Sequence, residues 1–269
     1  MGELDRREAL QLFGVGLLAA LHPGGFELVS RMSRRAPGAS LLRALEREVR
    51  GPLYTRSEPG FGGAAEVYNS RYDDVRPLAV LRAAGARDVQ AAVQWAAKND
   101  VPVAARSGGH SYAGYSTVRN GLVIDLRSLD RVTVSSGSRS VRIGPGARLI
   151  EVYAGLAAKG LAVPGGTCPT VGFGGLALGG GYGFASRALG MTCDTIESMR
   201  VVTAGGSLLT ADEDTNADLF WALRGGGGGN FGIVTRFTVN ASREGSAAFY
   251  SASWPAGATE DAIAAWQGL

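Results

Sequence analysis

The chain has 269 residues, of which 45% are hydrophobic and 19% charged, with a formal net charge of +3. That length supports one large domain or two smaller ones around a real core, and the balance excludes a disordered chain. The positive charge is scattered and almost all arginine, with Lys98 and Lys159 as the lysines. No basic stripe interleaved with aromatics points to nucleic acid as a partner.

Arg6-Arg7 precedes an apolar stretch from Leu10 to Leu21 that is interrupted by Gln11 and followed by Pro23-Gly24-Gly25. It is shorter than the ~20 apolar residues a spanning helix needs, so stable membrane insertion is not expected. A charged start followed by an apolar middle suits a twin-arginine export signal. The start of an ordinary amphipathic helix is the competing reading, which would leave the protein cytoplasmic. Residues 22–40 are rich in Arg, Ser, Pro and Gly and read as a linker, so 1–40 is taken as leader and linker.

Apolar residues at Leu41, Leu42, Leu45 and Val49 have helical spacing. Leu78–Leu81 reads as a strand, Arg87–Lys98 as a helix, and Val101–Ala104 as a second strand that delivers a glycine turn. Val123–Leu126, Val132–Val134 and Val141–Ile143 are short β segments, and Leu149–Lys159 is a helix closed by Gly160 at its C-cap. Met199–Thr203 and Ser207–Thr210 read as a hairpin around Ala204-Gly205-Gly206, and Ile233–Val239 as the last strand. Strands mixed with helices in two lobes make the fold class α+β.

Glycine accounts for 41 of 269 residues, about twice the usual ~7%, and it clusters in motifs without a collagen period. Two clusters carry one nucleophile each: Arg106-Ser107-Gly108-Gly109-His110-Ser111 and Gly165-Gly166-Thr167-Cys168-Pro169-Thr170-Val171-Gly172. Glycine lets the backbone approach a ligand closely, and successive N–H groups make concavities that suit phosphate oxygens. Imidazole and thiol are the side chains best suited to attack an electron-poor carbon, the thiol after loss of its proton. The pattern points to a phosphate-bearing cofactor held by covalent bonds as well as by contacts.

Other readings have less behind them. Gly172-Phe173-Gly174-Gly175-Leu176-Ala177 matches G-x-G-x-x-A, but a Pro-Thr turn precedes it and no acid stands about 20 residues on, as a nicotinamide site requires. One histidine and two cysteines beyond the leader do not make a structural zinc spacing. Cys193 reads as a buried free thiol, with a Cys168–Cys193 disulfide as the alternative.

From about Leu41 to Asn240 the chain resembles the FAD-linked oxidases of the berberine bridge enzyme family, which share the vanillyl-alcohol-oxidase or PCMH-type FAD-binding domain. The resemblance is carried by Asn69-Ser70-Arg71-Tyr72, the run from Arg106 to Ser116, the turn around Cys168, Gly179-Gly180-Gly181-Tyr182-Gly183 and the run from Arg187 to Asp194. The last block is Asp218-Leu219-Phe220-Trp221-Ala222-Leu223-Arg224, five glycines, then Asn230-Phe231-Gly232. The resemblance implies a two-lobed domain over 41–242 with FAD in the groove between the lobes. It implies bonds from His110 to the 8α-methyl of the isoalloxazine and from Cys168 to carbon 6.

Further cofactor contacts are implied at Arg106, Ser107, Gly108, Gly109, Ser111 and Tyr112, and at Gly166, Thr167 and Val171. Gly172, Gly174, Gly175 and Gly183 follow, then Gly232, Ile233 and Val234. Phe220 and Trp221 are expected in the core. Val171, three residues after Cys168, implies oxidase behaviour, because in the family a small valine there accompanies oxygen as acceptor. The implied function is an oxidase taking hydride from an alcohol or amine carbon of a sugar or secondary metabolite, with O2 as acceptor; the alternative is a flavin-binding remnant without turnover. Residues 243–269 read as the start of a truncated substrate domain, so no catalytic residue is named. The terminal stretch from Ala248, with Tyr250, Trp254 and Trp266, is expected to be poorly ordered or to stick onto the exposed face of the FAD domain.

Overall fold

The computed structural model describes residues 39–246, 248 and 251–268. The stretch read as a leader, nearly all of the linker, and Tyr250 lie outside the described residues.

The first lobe runs α1 (Ala39–Glu48), β1 (Leu53–Thr55), α2 (Phe61–Ala65), β2 (Ala79–Arg82), α3 (Ala86–Lys98), β3 (Val103–Arg106) and β4 (Leu122–Asp125). Its sheet has the order β1-β2-β4-β3, with β2 and β3 parallel to β4 and β1 antiparallel at the edge. Central β4 reads Leu-Val-Ile-Asp and is buried along its whole length, as a parallel strand covered on both faces must be. Val89, Ala92, Trp95 and Ala96 form the buried stripe of α3.

Strand β3 starts two residues later than the apolar run suggests. The Val101 N–H bonds the Ala96 carbonyl at 2.9 Å and finishes α3. Pro102 has no N–H to give a ladder. The strand therefore reaches Arg106, a charge that a search for apolar residues passes over.

The second lobe contains β5 (Val132–Val134), β6 (Ser140–Ile143), α4 (Leu149–Ala157), β7 (Leu161–Ala162), α5 (Phe173–Leu178), α6 (Ser186–Leu189) and β8 (Ile196–Val202). It continues with β9 (Leu208–Asp212), α7 (Ala217–Leu223), β10 (Ile233–Asn240) and β11 (Ser242–Arg243). Its main sheet is antiparallel, ordered β5-β6-β10-β8-β9, and β7 pairs with β11. The β8–β9 hairpin turns through Gly206 at φ +78°. Helix α4 stops at Ala157, because Lys159 and Gly160 bond the carbonyls of Leu156 and Ala157 in a tightened last turn.

On α7, Phe220 is 2% exposed and Trp221 is 76% exposed. Trp221 is therefore not a core aromatic: with 3.6 residues per turn, neighbours point about 100° apart, and Phe220 holds the inward direction. The terminal stretch also departs from expectation. It forms α8 (Thr259–Gln267), and Trp254 and Trp266 are exposed instead of packed onto the domain.

The lobes share core residues. Val202 at the end of β8 and Ile233 at the start of β10 pack with Leu81, Val89 and Ile124 of the first lobe. The end of β3 and the start of β10 accordingly line one cavity. Among the described residues, no helix is long and apolar enough to cross a membrane.

Candidate functional site

The turn after β3 is held from below by a buried ion network. Arg106 is 1% exposed, and its guanidinium donates to Asp125 Oδ2 at 3.1 Å, to the Glu66 carbonyl at 3.2 Å and to the Ala64 carbonyl. Arg127 Nε donates to both Asp125 oxygens, at 3.1 and 2.9 Å. Burial alone would raise the Asp125 carboxyl. The hydrogen bonds from Arg127, with the charges of Arg106 and Arg127, outweigh it and hold the group below its ordinary value. Arg106 thus uses its guanidinium to anchor the turn and the carbonyl end of α2.

Above this anchor the two glycine turns meet backbone to backbone. A Cβ on Gly108 would lie 2.3 Å from the Gly172 nitrogen, and one on Gly172 would lie 2.0 Å from Ser107 Oγ. Ser107 Oγ in turn donates to the Pro145 carbonyl, and the Gly174 N–H bonds the same carbonyl at 2.9 Å. Gly109 takes a left-handed φ of +79°, a conformation that favours glycine. Among the described residues, nothing accepts from the backbone N–H groups of Gly108, Gly109, His110 or Ser111. A row of unpaired N–H groups on a glycine turn is an anion cradle.

These turns line a cavity of about 340 Å³ between the lobes. It gathers most of the residues expected from the sequence: Arg106, Ser107, Gly108, Gly109, His110 and Ser111 from the first turn, then Val171, Gly172, Gly174 and Gly175, then Gly232, Ile233 and Val234. An adjoining cleft of about 640 Å³ shares Arg106, Gly108 and His110 with it, and adds Tyr68, Arg127 and Thr170.

Five expected residues stand away from the cavity lining. Tyr112 is exposed, and its carbonyl accepts from Tyr72 Oη at 3.0 Å. Gly183 packs beneath the second turn, where a Cβ would lie 1.7 Å from the Gly165 carbonyl oxygen. Gly166 is anchored through its carbonyl by Tyr153 Oη at 2.7 Å. Thr167 and Cys168 are exposed at the tip of that turn.

Both cysteines are free, Cys168 exposed and Cys193 buried, so the alternative disulfide is not formed. Burial, with the Asp194 carboxylate beside it, pushes the Cys193 thiol up and keeps it protonated.

His110 sits at the junction of cavity and cleft. Tyr68 stacks on its ring at 4.0 Å with planes 20° apart, and Thr170 Oγ1 is in hydrogen-bond contact with Nε2 at 3.0 Å. Burial lowers the His110 pKa, opposed by a hydrogen bond to the Thr170 backbone, so the imidazole is neutral at pH 7. Sequence reasoning missed Tyr68, Thr170 and Tyr153, and also Gly228 and Gly229, which line the cavity. The one available signal was position: Tyr68 precedes the Asn69-Ser70-Arg71-Tyr72 run, and Thr170 lies inside the Cys168 turn.

A model described as FAD binding domain matches residues 77–212. The chain belongs to this FAD-binding domain family. It is 38% identical over 227 residues to the uncharacterized FAD-linked oxidoreductase YgaK of Bacillus subtilis, covering 82% of this chain and 49% of that protein. Berberine bridge enzyme-like 18 of Arabidopsis thaliana is 38% identical over 196 residues, covering 70% of this chain and 37% of that protein. Among solved structures, the xylooligosaccharide oxidase of Myceliophthora thermophila C1 in complex with xylobiose superposes with a TM-score of 0.69 at 38% identity, covering 76% of this chain and 43% of that one. The chain thus spans about half the length, or less, of these relatives.

The residues fit FAD. The Gly108–Gly172 contact leaves no room for a Cβ at either of these two glycines, the unpaired N–H row suits a pyrophosphate, and a neutral imidazole lies at the cavity edge with a thiol on the adjoining turn.

Proposed function

We propose that this chain is the flavin-holding part of an FAD-dependent oxidase, with His110 and Cys168 bonded to the isoalloxazine. The observation that carries the reading is the convergence of two nucleophile-bearing glycine turns on one cavity, joined by the Thr170–His110 contact. The N–H groups of residues 108–111 hold the pyrophosphate, and the Arg106–Asp125 network keeps that row in place. His110 meets the cofactor as a neutral base, and Cys168 meets it as a free side chain exposed on its turn.

The chemistry supplied by bound FAD is two-electron oxidation of an alcohol or amine carbon, with the electrons passing to O2. Val171 lines the cavity beside the second turn. Its small side chain supports oxygen as acceptor, as the resemblance to the family's oxidases implies. The substrate class is a sugar or secondary metabolite, and the xylooligosaccharide oxidase among the solved relatives favours the sugar.

The test is anaerobic titration of the yellow protein with a panel of oligosaccharides, alcohols and amines, followed by air. Bleaching by a sugar and recovery of colour in air, with hydrogen peroxide released, is the expected result. An intact flavin spectrum that no substrate bleaches contradicts turnover by this chain and favours flavin binding alone.

A further inference from the structure

We propose that Thr170 is a positioning residue for His110, holding the imidazole in the orientation in which it joins the flavin; this rests on the covalent reading above. Thr170 Oγ1 lies 3.0 Å from Nε2, and Tyr68 covers one face of the ring at 4.0 Å. The Tyr68 N–H bonds the Gly109 carbonyl at 3.1 Å, so the stacking partner is tied to the turn that carries His110. The stack fixes the tilt of the ring, and the hydroxyl fixes its rotation.

The Thr170 backbone also hydrogen-bonds the imidazole, so main chain and hydroxyl of one residue both meet the ring. A hydroxyl both donates and accepts, so Thr170 Oγ1 can hold Nε2 in place whichever ring nitrogen carries the proton. Thr170 therefore fixes the direction in which the ring faces the cavity. His110 forms one N–C bond to the methyl carbon of the flavin while one methyl C–H and the imidazole N–H break. The two electrons and two protons released end on O2 as hydrogen peroxide, which balances the step with the acceptor already named.

Thr170 also stands two residues after Cys168, in a turn braced by the Val171 N–H on the Cys168 carbonyl at 3.3 Å and the Ile150 N–H on the Pro169 carbonyl at 3.1 Å. One hydroxyl thus joins the turn of one attachment point to the ring of the other. Because Thr170 is exposed, replacing it leaves the core intact.

The test incubates apoprotein with FAD in air, using the wild type, Thr170→Val and Thr170→Ser. The flavin-bearing His110 and Cys168 peptides are followed separately by mass spectrometry, alongside the flavin absorption spectrum. Thr170→Val is expected to slow attachment at His110 about 2- to 10-fold, one net hydrogen bond's worth. Thr170→Ser restores the rate, and attachment at Cys168 proceeds in both variants. Wild-type rates in Thr170→Val, or equal slowing in Thr170→Ser, overturn the role of Thr170. A wild-type arm with no flavin on His110 overturns the covalent reading itself, so the two failures are distinguishable.

Discussion

Gly108 and Gly172 touch backbone to backbone: a Cβ on Gly108 would stand 2.3 Å from the Gly172 nitrogen, and a Cβ on Gly172 would stand 2.3 Å from the Gly108 nitrogen. Two turns 64 positions apart in the chain thereby share one wall of the cavity. The need for glycine here is one of space, since Gly172 itself has an ordinary φ of −79°.

Gly172→Ala should therefore destabilise the fold by about 1–3 kcal/mol, the range for overpacking a tight site, and weaken FAD retention. Gly62→Ala is the control. It lies within α2 with nothing near its missing Cβ, and alanine there should be neutral or stabilising by up to ~1 kcal/mol. Thermal melting and gel filtration of the yellow protein read both effects.

Asp125→Asn removes the charge that Arg106 and Arg127 share. Breaking a buried pair of this kind costs about 3–5 kcal/mol, because the remaining charge stays buried without its partner. Denaturant unfolding should show that loss. The double variant Asp125→Asn/Arg106→Met, which removes the buried cation as well, should be milder than Asp125→Asn alone.

Much of this architecture was legible from sequence, and the exceptions have physical causes. The strands of both lobes stood out because they are short apolar runs between turn residues. Helix α5 did not, since Phe-Gly-Gly-Leu-Ala-Leu contains two poor helix formers and holds together through its packing: Phe173 is fully buried at its start. Edge strand β1 has three residues, too few for a periodic signal. At the site, the glycines and both nucleophiles were readable because each needs an unusual residue type. Thr170, Tyr68 and Tyr153 act through single contacts made by common residues, and such contacts appear only when distant segments are brought together.

The neutral state of His110 predicts a pH profile. Burial depresses its pKa in the folded protein, so the proton-free ring persists to lower pH than in an ordinary histidine at about 6.5. Flavin attachment at His110 should be flat from pH 8 down to that value and fall only below it. For stability the sign is the same. The unfolded chain takes up the proton first, so stability drops as the pH falls through the ordinary histidine value. Asp125, also depressed, contributes stability at neutral pH that is lost when the pH falls through its folded value, below the ordinary carboxylate range. Stopped-time peptide mapping and acid unfolding curves check the two halves.

Tyr153→Phe removes the hydroxyl that donates to the Gly166 carbonyl at 2.7 Å. The expected loss is about 1 kcal/mol of stability, with slower attachment at Cys168 and little change at His110. Mass spectrometry of the two peptides separates these outcomes, since general unfolding would slow both.

The most direct measurement is the mass of the polypeptide under denaturing conditions, for wild type, His110→Ala, Cys168→Ala and the double variant after incubation with FAD. Two attachment points predict that wild type and each single variant carry one flavin on the polypeptide, with altered absorption spectra in the single variants, and that the double variant carries none. A wild-type chain of unmodified mass, with all the yellow colour in the protein-free supernatant, would contradict the account.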